Sequence, residues 1–268
     1  MNLRNIFILL ILSVFYIFMV QSGLATETDK EIFSSRESKL VTQIKKIKIG
    51  VVAVGTYYFK DKPKSQFRGT GFAVGDGTVI ITNAHTISSL EEKKKLNQLR
   101  IFHQRLHPNG IKASLLRKDE AHDLALLKVE DGKLSPLELA DSGNVLEGEA
   151  VAFTGYPLGF VLGLNPTTHT GIISAIAPIV LPSPSGRLLN KRIVKFLRES
   201  YDIFQIDATA YPGNSGSPVF RVSTGEVIGI TNMVFVKGKK EHLITKPSGI
   251  TYAIPSNFAR DLIKDLNQ

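Results

Sequence analysis

From residue 49 onward, apolar residues come in short runs of three to seven, separated by Gly, Pro and Asp. The runs fall at 49–54, 56–59, 71–74, 78–82, 124–129, 150–154, 171–177, 204–206, 217–222, 227–231 and 249–254. Runs of this length are too short for ordinary helices and suit strands. Between the third and fourth, Gly75-Asp76-Gly77 supplies the positive φ of a tight turn, a hairpin signal. Short strands at frequent turns predict an all-β fold, an antiparallel barrel or sandwich. Two later stretches break the pattern. Residues 187–200 place Leu189, Ile193, Phe196 and Leu197 on one helical face, with Arg187, Lys191, Arg192, Lys195 and Arg198 around the others. At the C-terminus Ser256 is expected to cap a helix carrying Phe258, Leu262 and Leu266 at four-residue steps.

Ahead of the strands the chain reads differently. Arg4 precedes 6–20, apolar save for Ser13, and Gly23, Leu24 and Ala25 follow as a cleavage site. Residues 1–25 are expected to be a signal peptide cut after Ala25, with an uncleaved anchor as the alternative. Either way the remainder lies outside the cytoplasm: periplasmic or secreted, or membrane-anchored if the leader stays. Residues 26–48 are polar and charged, with Leu40, Val41, Ile44 and Ile47 at helical spacing. A single domain is expected over 49–268.

Composition narrows the chemistry. The chain has 268 residues, 43% of them hydrophobic, and no cysteine. That excludes disulfides, thiolate metal sites and a cysteine nucleophile. The net charge of +9 raises nucleic-acid binding. No zinc-finger spacing, aromatic-rich RNA motif or leucine heptad accompanies it, so no nucleic-acid partner is expected. The basic helix at 187–200 is expected either as a lid or docking element, touching a membrane surface or a partner, or as a peripheral surface helix.

Residues 211–218, YPGNSGSP, hold Ser215 between Gly213 and Gly216. Glycines allow a sharp turn that exposes a hydroxyl and brings backbone close to a substrate. The turn Gly213, Asn214, Ser215 can form an oxyanion hole, through the amides of Gly213 and Ser215. Such a hydroxyl needs a base. Of the six histidines, His85 follows an apolar strand that ends in small residues, a rigid mount. His103, His107 and His242 sit in polar, basic surroundings, and His169 lies just before a strand, either lining a cleft or serving as filler. Asp123 precedes the apolar run 124–127, where an acid must be paired, and pairing with His85 satisfies it. His122 rivals His85 as the base. Strand alternation, though, turns it away if Asp123 points into the site.

The order His85, Asp123, Ser215 resembles the chymotrypsin-like proteases rather than the subtilisins or α/β-hydrolases. Gly69-Thr70-Gly71-Phe72, Thr82-Asn83-Ala84-His85, and the segments 123–128, 155–159, 170–175, 212–216, 225–230 and 253–256 resemble the HtrA (Deg-type) branch of trypsin-like serine proteases. The resemblance runs from about residue 40 to the C-terminus. It implies two antiparallel six-stranded β-barrels with the triad between them, and a C-terminal helix. It also implies polypeptide substrates, no metal or cofactor, and trimers as a common assembly. The PDZ domain usual in that family is not found in the sequence, so no control by an attached PDZ is expected. Its second glycine after the nucleophile is Ser217 here, as in glutamyl endopeptidases. Those enzymes carry a pocket histidine where this chain has Thr231 and Asn232, which argues against acid preference. The resemblance implies a specificity pocket of Thr209, Ala210, Ile230, Thr231 and Asn232. Thr209 stands where trypsin-type enzymes place an acid, so a small or medium uncharged residue is expected before the cut. The expected function is a serine endopeptidase of extracytoplasmic quality control or processing. The alternative is a protease-fold binding or chaperone protein with a resting triad.

Overall fold

A computed structural model describes residues 38–103, 109–157, 164–179, 200–232 and 249–264. The expected leader and all but Ser200 of the basic helix lie outside the described residues. Two compact units divide the chain, Met1–Thr42 and Gln43–Gln268. Residues 38–48 are helical (α1), as their amphipathic spacing predicts. No helix among the described residues is long and apolar enough to cross a membrane.

The described residues of the second unit form twelve strands. The first six are β1 (Val51–Tyr57), β2 (Ser65–Val74), β3 (Val79–Asn83), β4 (Leu99–Phe102), β5 (Ile111–Asp119) and β6 (Leu124–Val129). They close a barrel in the order β1-β2-β3-β6-β5-β4, with antiparallel pairing throughout. The second six are β7 (Ala150–Gly155), β8 (Thr167–Pro178), β9 (Asp202–Asp207), β10 (Pro218–Arg221), β11 (Val227–Asn232) and β12 (Ile250–Pro255). They close likewise as β10-β11-β12-β9-β8-β7. Two helices join them: α2 (His85–Glu92) after β3, and α3 (Ser256–Lys264) after β12. The expected pair of six-stranded barrels with a C-terminal helix is therefore present.

Alternation builds each core. Val52, Val54, Ala73, Ile80 and Leu127 fill the first barrel, and Phe153, Ile173, Ile206, Val219 and Ile228 fill the second. Every second residue of a strand points the other way. Val51, Ala53, Phe72 and Ile81 therefore face outward from the first barrel, yet each is fully buried. The two barrels meet through β1 with β7 and β3 with β11. Helix α3 spans the junction, packing on β6 of one barrel and on β11 and β12 of the other. Its start departs from expectation. Ser256 Oγ donates to Ala140 O at 2.9 Å rather than capping the helix. The helix is tied down instead by a reciprocal pair, Asn257 N to Ser142 Oγ and Ser142 N to Asn257 Oδ1.

Candidate active site

The site forms where the two barrels meet. His85, expected to follow an apolar strand, does so after β3 and is the first residue of α2. The apolar run before it ends at Asn83, and the chain turns into helix through Ala84. A helix start leaves backbone N–H groups without intrahelical acceptors. Asp123 meets one of them: its Oδ1 accepts from His85 N at 2.8 Å. Its Oδ2 lies 2.6 Å from His85 Nδ1. An ionised carboxylate can only accept, so Nδ1 carries the proton, and in the neutral ring Nε2 is left as the acceptor.

Asp123 is fixed from several sides. It sits at φ +52, a left-handed conformation that Asp tolerates better than most residues. Its carbonyl accepts from Ala84 N at 3.0 Å and Asn83 Nδ2 at 3.1 Å, which locks the turn before β6 to the end of β3. Asn232 Nδ2, at the end of β11 in the other barrel, donates to Asp123 Oδ2 at 2.8 Å. Asn232 was expected in the specificity pocket, and this contact was not foreseen. The bond crosses 109 residues of sequence, so no local signal announced it.

His122 turns away from His85, for a reason other than strand alternation. Residues 120–123 form a turn ahead of β6. His122 Nδ1 pairs with Asp119 Oδ2 at 2.6 Å, and its ring stacks on Phe258 of α3 with centroids 3.9 Å apart. His169 stacks on Phe153 at 4.9 Å in the second barrel, and its Nε2 has no hydrogen-bond partner among the described residues. Burial holds the His169 pKa below its ordinary value.

Ser215 lies on a turn clamped by both barrels. Thr70 N of β2 donates to Ser215 O at 2.8 Å, and Gly216 N donates to Thr231 O of β11 at 2.9 Å. Thr70 Oγ1 donates to Gly213 O at 2.7 Å and accepts from Tyr156 N at 3.0 Å. Thr70 is thus the chief polar joint between β2 and the serine turn, a role the Gly-Thr-Gly motif hinted at without defining. Gly216 stands at φ +87, and a Cβ there would fall 2.0 Å from Thr70 O. Gly69 allows β2 to pass close by: its Cβ would lie 2.7 Å from Thr86 Cγ2 and 3.0 Å from Ser215 O. Ser215 and the residue after His85 therefore flank the same glycine.

Within the turn, Asn214 N donates to Tyr211 O at 2.9 Å and Ser217 N to Asn214 O at 3.0 Å. The amides of Gly213 and Ser215 make no hydrogen bond among the described residues, nor does the Ser215 hydroxyl. Two N–H groups and one hydroxyl of the turn are thus without a partner among the described residues; Ser215 is itself 5% exposed, and His85 keeps 32% of its side chain exposed. Of the residues expected to line a pocket, Thr209 is half-buried, Ala210 is buried, and Ile230, Thr231 and Asn232 are fully buried. Among the described residues, no group of three or more His, Asp or Glu side chains could hold a metal ion.

Known proteins resemble this chain in sequence and fold. A DegP-like protein from Hahella chejuensis, named a probable periplasmic serine endoprotease, is 32% identical over 211 residues, which cover 78% of this chain and 38% of that protein. A relative of the same name from Halomonas elongata is 33% identical over 200 residues, 74% of this chain and 35% of its own. The chain thus spans little more than a third of the length of these relatives. In fold it matches the HtrA-type protease AlgW, solved with a decapeptide (TM-score 0.61, 21% identity, 85% of this chain and 67% of that one). It also matches AlgW solved with a tripeptide (TM-score 0.59, 22% identity, 85% and 63%). Residues 69–230 match the trypsin-like peptidase domain. That span begins beside Thr70, takes in His85, Asp123 and Ser215, and ends just short of Asn232, and on this match the chain belongs to the family of trypsin-like peptidase domains.

Proposed function

We propose that the chain is a serine endopeptidase in which Ser215 is the nucleophile, His85 the general base and acid, and Asp123 the group that orients His85. The observation that carries this reading is the 2.6 Å contact between His85 Nδ1 and Asp123 Oδ2, which leaves Nε2 as the proton acceptor, while Thr86, next to His85, and Ser215 flank the same glycine. Ser215 Oγ adds to the carbonyl carbon of a peptide bond and passes its proton to His85 Nε2. The oxyanion is received by the amides of Gly213 and Ser215, the two in the turn that have no other acceptor. When the carbon–nitrogen bond breaks, His85 returns the proton to the leaving amine. A water then attacks the acyl-serine by the same route in reverse, releasing the acid and restoring the serine.

Polypeptides are the substrates this reading implies, and the peptide-bound titles of the AlgW structures are in keeping with it. Thr209 and Ala210 carry no charge beside the serine turn, which supports a small or medium uncharged residue before the cut. The names of the DegP-like relatives support a place outside the cytoplasm, in the periplasm or beyond, with a role in quality control or processing.

A fluorophosphonate probe tests the core of the proposal. It should label the protein, and Ser215→Ala should abolish labelling while the protein stays folded by circular dichroism. Failure of the wild-type protein to label or to cleave any peptide of a mixed library would favour a binding protein on a protease scaffold. Cleavage of unfolded casein would point to quality control, and inertness towards casein with cleavage of defined peptides to processing.

A further inference from the structure

We propose that Arg68 forms an anion subsite for an acidic side chain of the substrate, at the first or second residue after the cut bond. The inference rests on the peptidase reading above and names part of its substrate preference.

Arg68 lies in β2, immediately before Gly69. Its Nη1 donates to Ser89 Oγ at 2.7 Å. Ser89 is four residues after His85 on α2, and residues four apart share one helical face. The guanidinium therefore sits about one helical turn, ~5.4 Å, along that face from His85. An extended peptide advances roughly 3.3 Å per residue, so this separation corresponds to one or two substrate residues.

Among the described residues the cation has no counter-ion. Arg68 forms no ion pair among the described residues, and its Nε is buried without a hydrogen-bond partner. Burial alone acts on it, pulling its pKa below the ordinary arginine value. The acids nearby do not neutralise it. Glu91 is held by Lys118, which also takes Glu120 at 2.8 Å. Glu92, one turn beyond Ser89, forms no ion pair among the described residues. An arginine remains charged in proteins, and a half-buried charge without a partner is costly. A carboxylate supplies the opposite charge and an acceptor for the N–H donors of the guanidinium head that Ser89 leaves free.

The clamped turn gives the side of the cut. β11 grips it through Gly216 and Thr231, and β2 through Thr70 and Ser215. The proposed pocket for the residue before the cut belongs to the second barrel, with Ala210 and β11. β2, with α2 beside it, then flanks the chain that leaves with the amine protonated by His85.

The test compares peptides that differ only by Glu, Gln or Lys at the two positions after a known cleavage site. kcat/KM is measured with the wild-type protein and Arg68→Gln, and binding of the same peptides to Ser215→Ala, with and without Arg68→Gln, by fluorescence anisotropy. Wild type should prefer Glu over Gln by about tenfold, the scale of one charge-assisted hydrogen bond, and should disfavour Lys. Arg68→Gln should bring the Glu-to-Gln ratio close to one. A wild-type ratio near one, Lys peptides cut as well as Gln peptides, or an unchanged ratio in Arg68→Gln overturns the subsite and leaves the peptidase reading standing. If nothing is cleaved, the peptidase reading falls and the anisotropy decides the subsite. Tighter Glu binding that depends on Arg68 upholds it, and equal binding overturns it. Should Arg68→Gln not fold, the order Glu, Gln, Lys in the wild-type protein decides.

Discussion

Asp123 accepts from His85 N, His85 Nδ1 and Asn232 Nδ2 on its two carboxylate oxygens, and its carbonyl accepts from Ala84 N and Asn83 Nδ2. Each bond limits where the imidazole can point. Asn232 touches no substrate in the proposed reaction and acts through Asp123 as a positioning residue. Hydrogen bonds to charged groups are worth about 1.5–3 kcal/mol. If the bond matters fully in the transition state, Asn232→Ala should slow peptide hydrolysis and probe labelling by roughly tenfold to a hundredfold, mostly in kcat. Parallel thermal unfolding would separate this from lost stability, and an unchanged kcat would show that His85 and Asp123 hold their geometry unaided. His85, Asp123 and Ser215 were legible in the sequence because each stands at the edge of an apolar run where a polar side chain needs a reason. Asn232 also stands at such an edge, but its partner comes from the other barrel.

At the level of elements, the long apolar strands were plain and the mixed ones were not. β6, LALLKV, coincides with its apolar run because both of its faces are buried. β4 and β5 had no counterpart among the runs. Arg100 interrupts the four residues of β4, and β5 alternates apolar with polar residues until its register shifts between Leu115 and Arg117. α2 was hidden as well. It has only two turns, and its first exposed amide is satisfied by Asp123 from another part of the chain rather than by a local cap. The serine turn passes close to β2 at Gly216, where φ is +87 and a Cβ would fall 2.0 Å from Thr70 O. Gly216→Ala combines left-handed strain with overpacking and should cost roughly 2–5 kcal/mol, with loss of probe labelling. Denaturant unfolding measures it, and a stable, labelled variant would mean that the turn can move away from β2.

For the whole molecule, stability should respond to acid in two windows. His169 has its pKa lowered by burial from the ordinary 6.5, so unfolding takes up a proton and stability falls as pH drops below about 6.5. Asp76 is held at about 2, first by the Thr78 hydroxyl and then by the Thr78 amide, against an ordinary 3.8. Its contribution is complete above the unfolded value and is lost between about pH 4 and 2. Asp141, bonded to Asn257 and Gly143 N, is lowered as well and acts in the same direction. Urea midpoints followed against pH should therefore fall in both windows. His169→Gln should flatten the upper one and Asp76→Asn the lower one, whereas a midpoint constant from pH 6.5 to 5 would contradict the role of His169. The sequence by itself determined an all-β architecture and the residue types of the candidate site, because strand length, turn chemistry and polar residues at apolar edges are local properties. Tertiary structure alone decided that Asn232 supports Asp123, that Thr70 joins the barrels and that Arg68 bonds Ser89 of α2 while forming no ion pair among the described residues. Each of those contacts arises only when barrel closure brings together segments far apart along the chain.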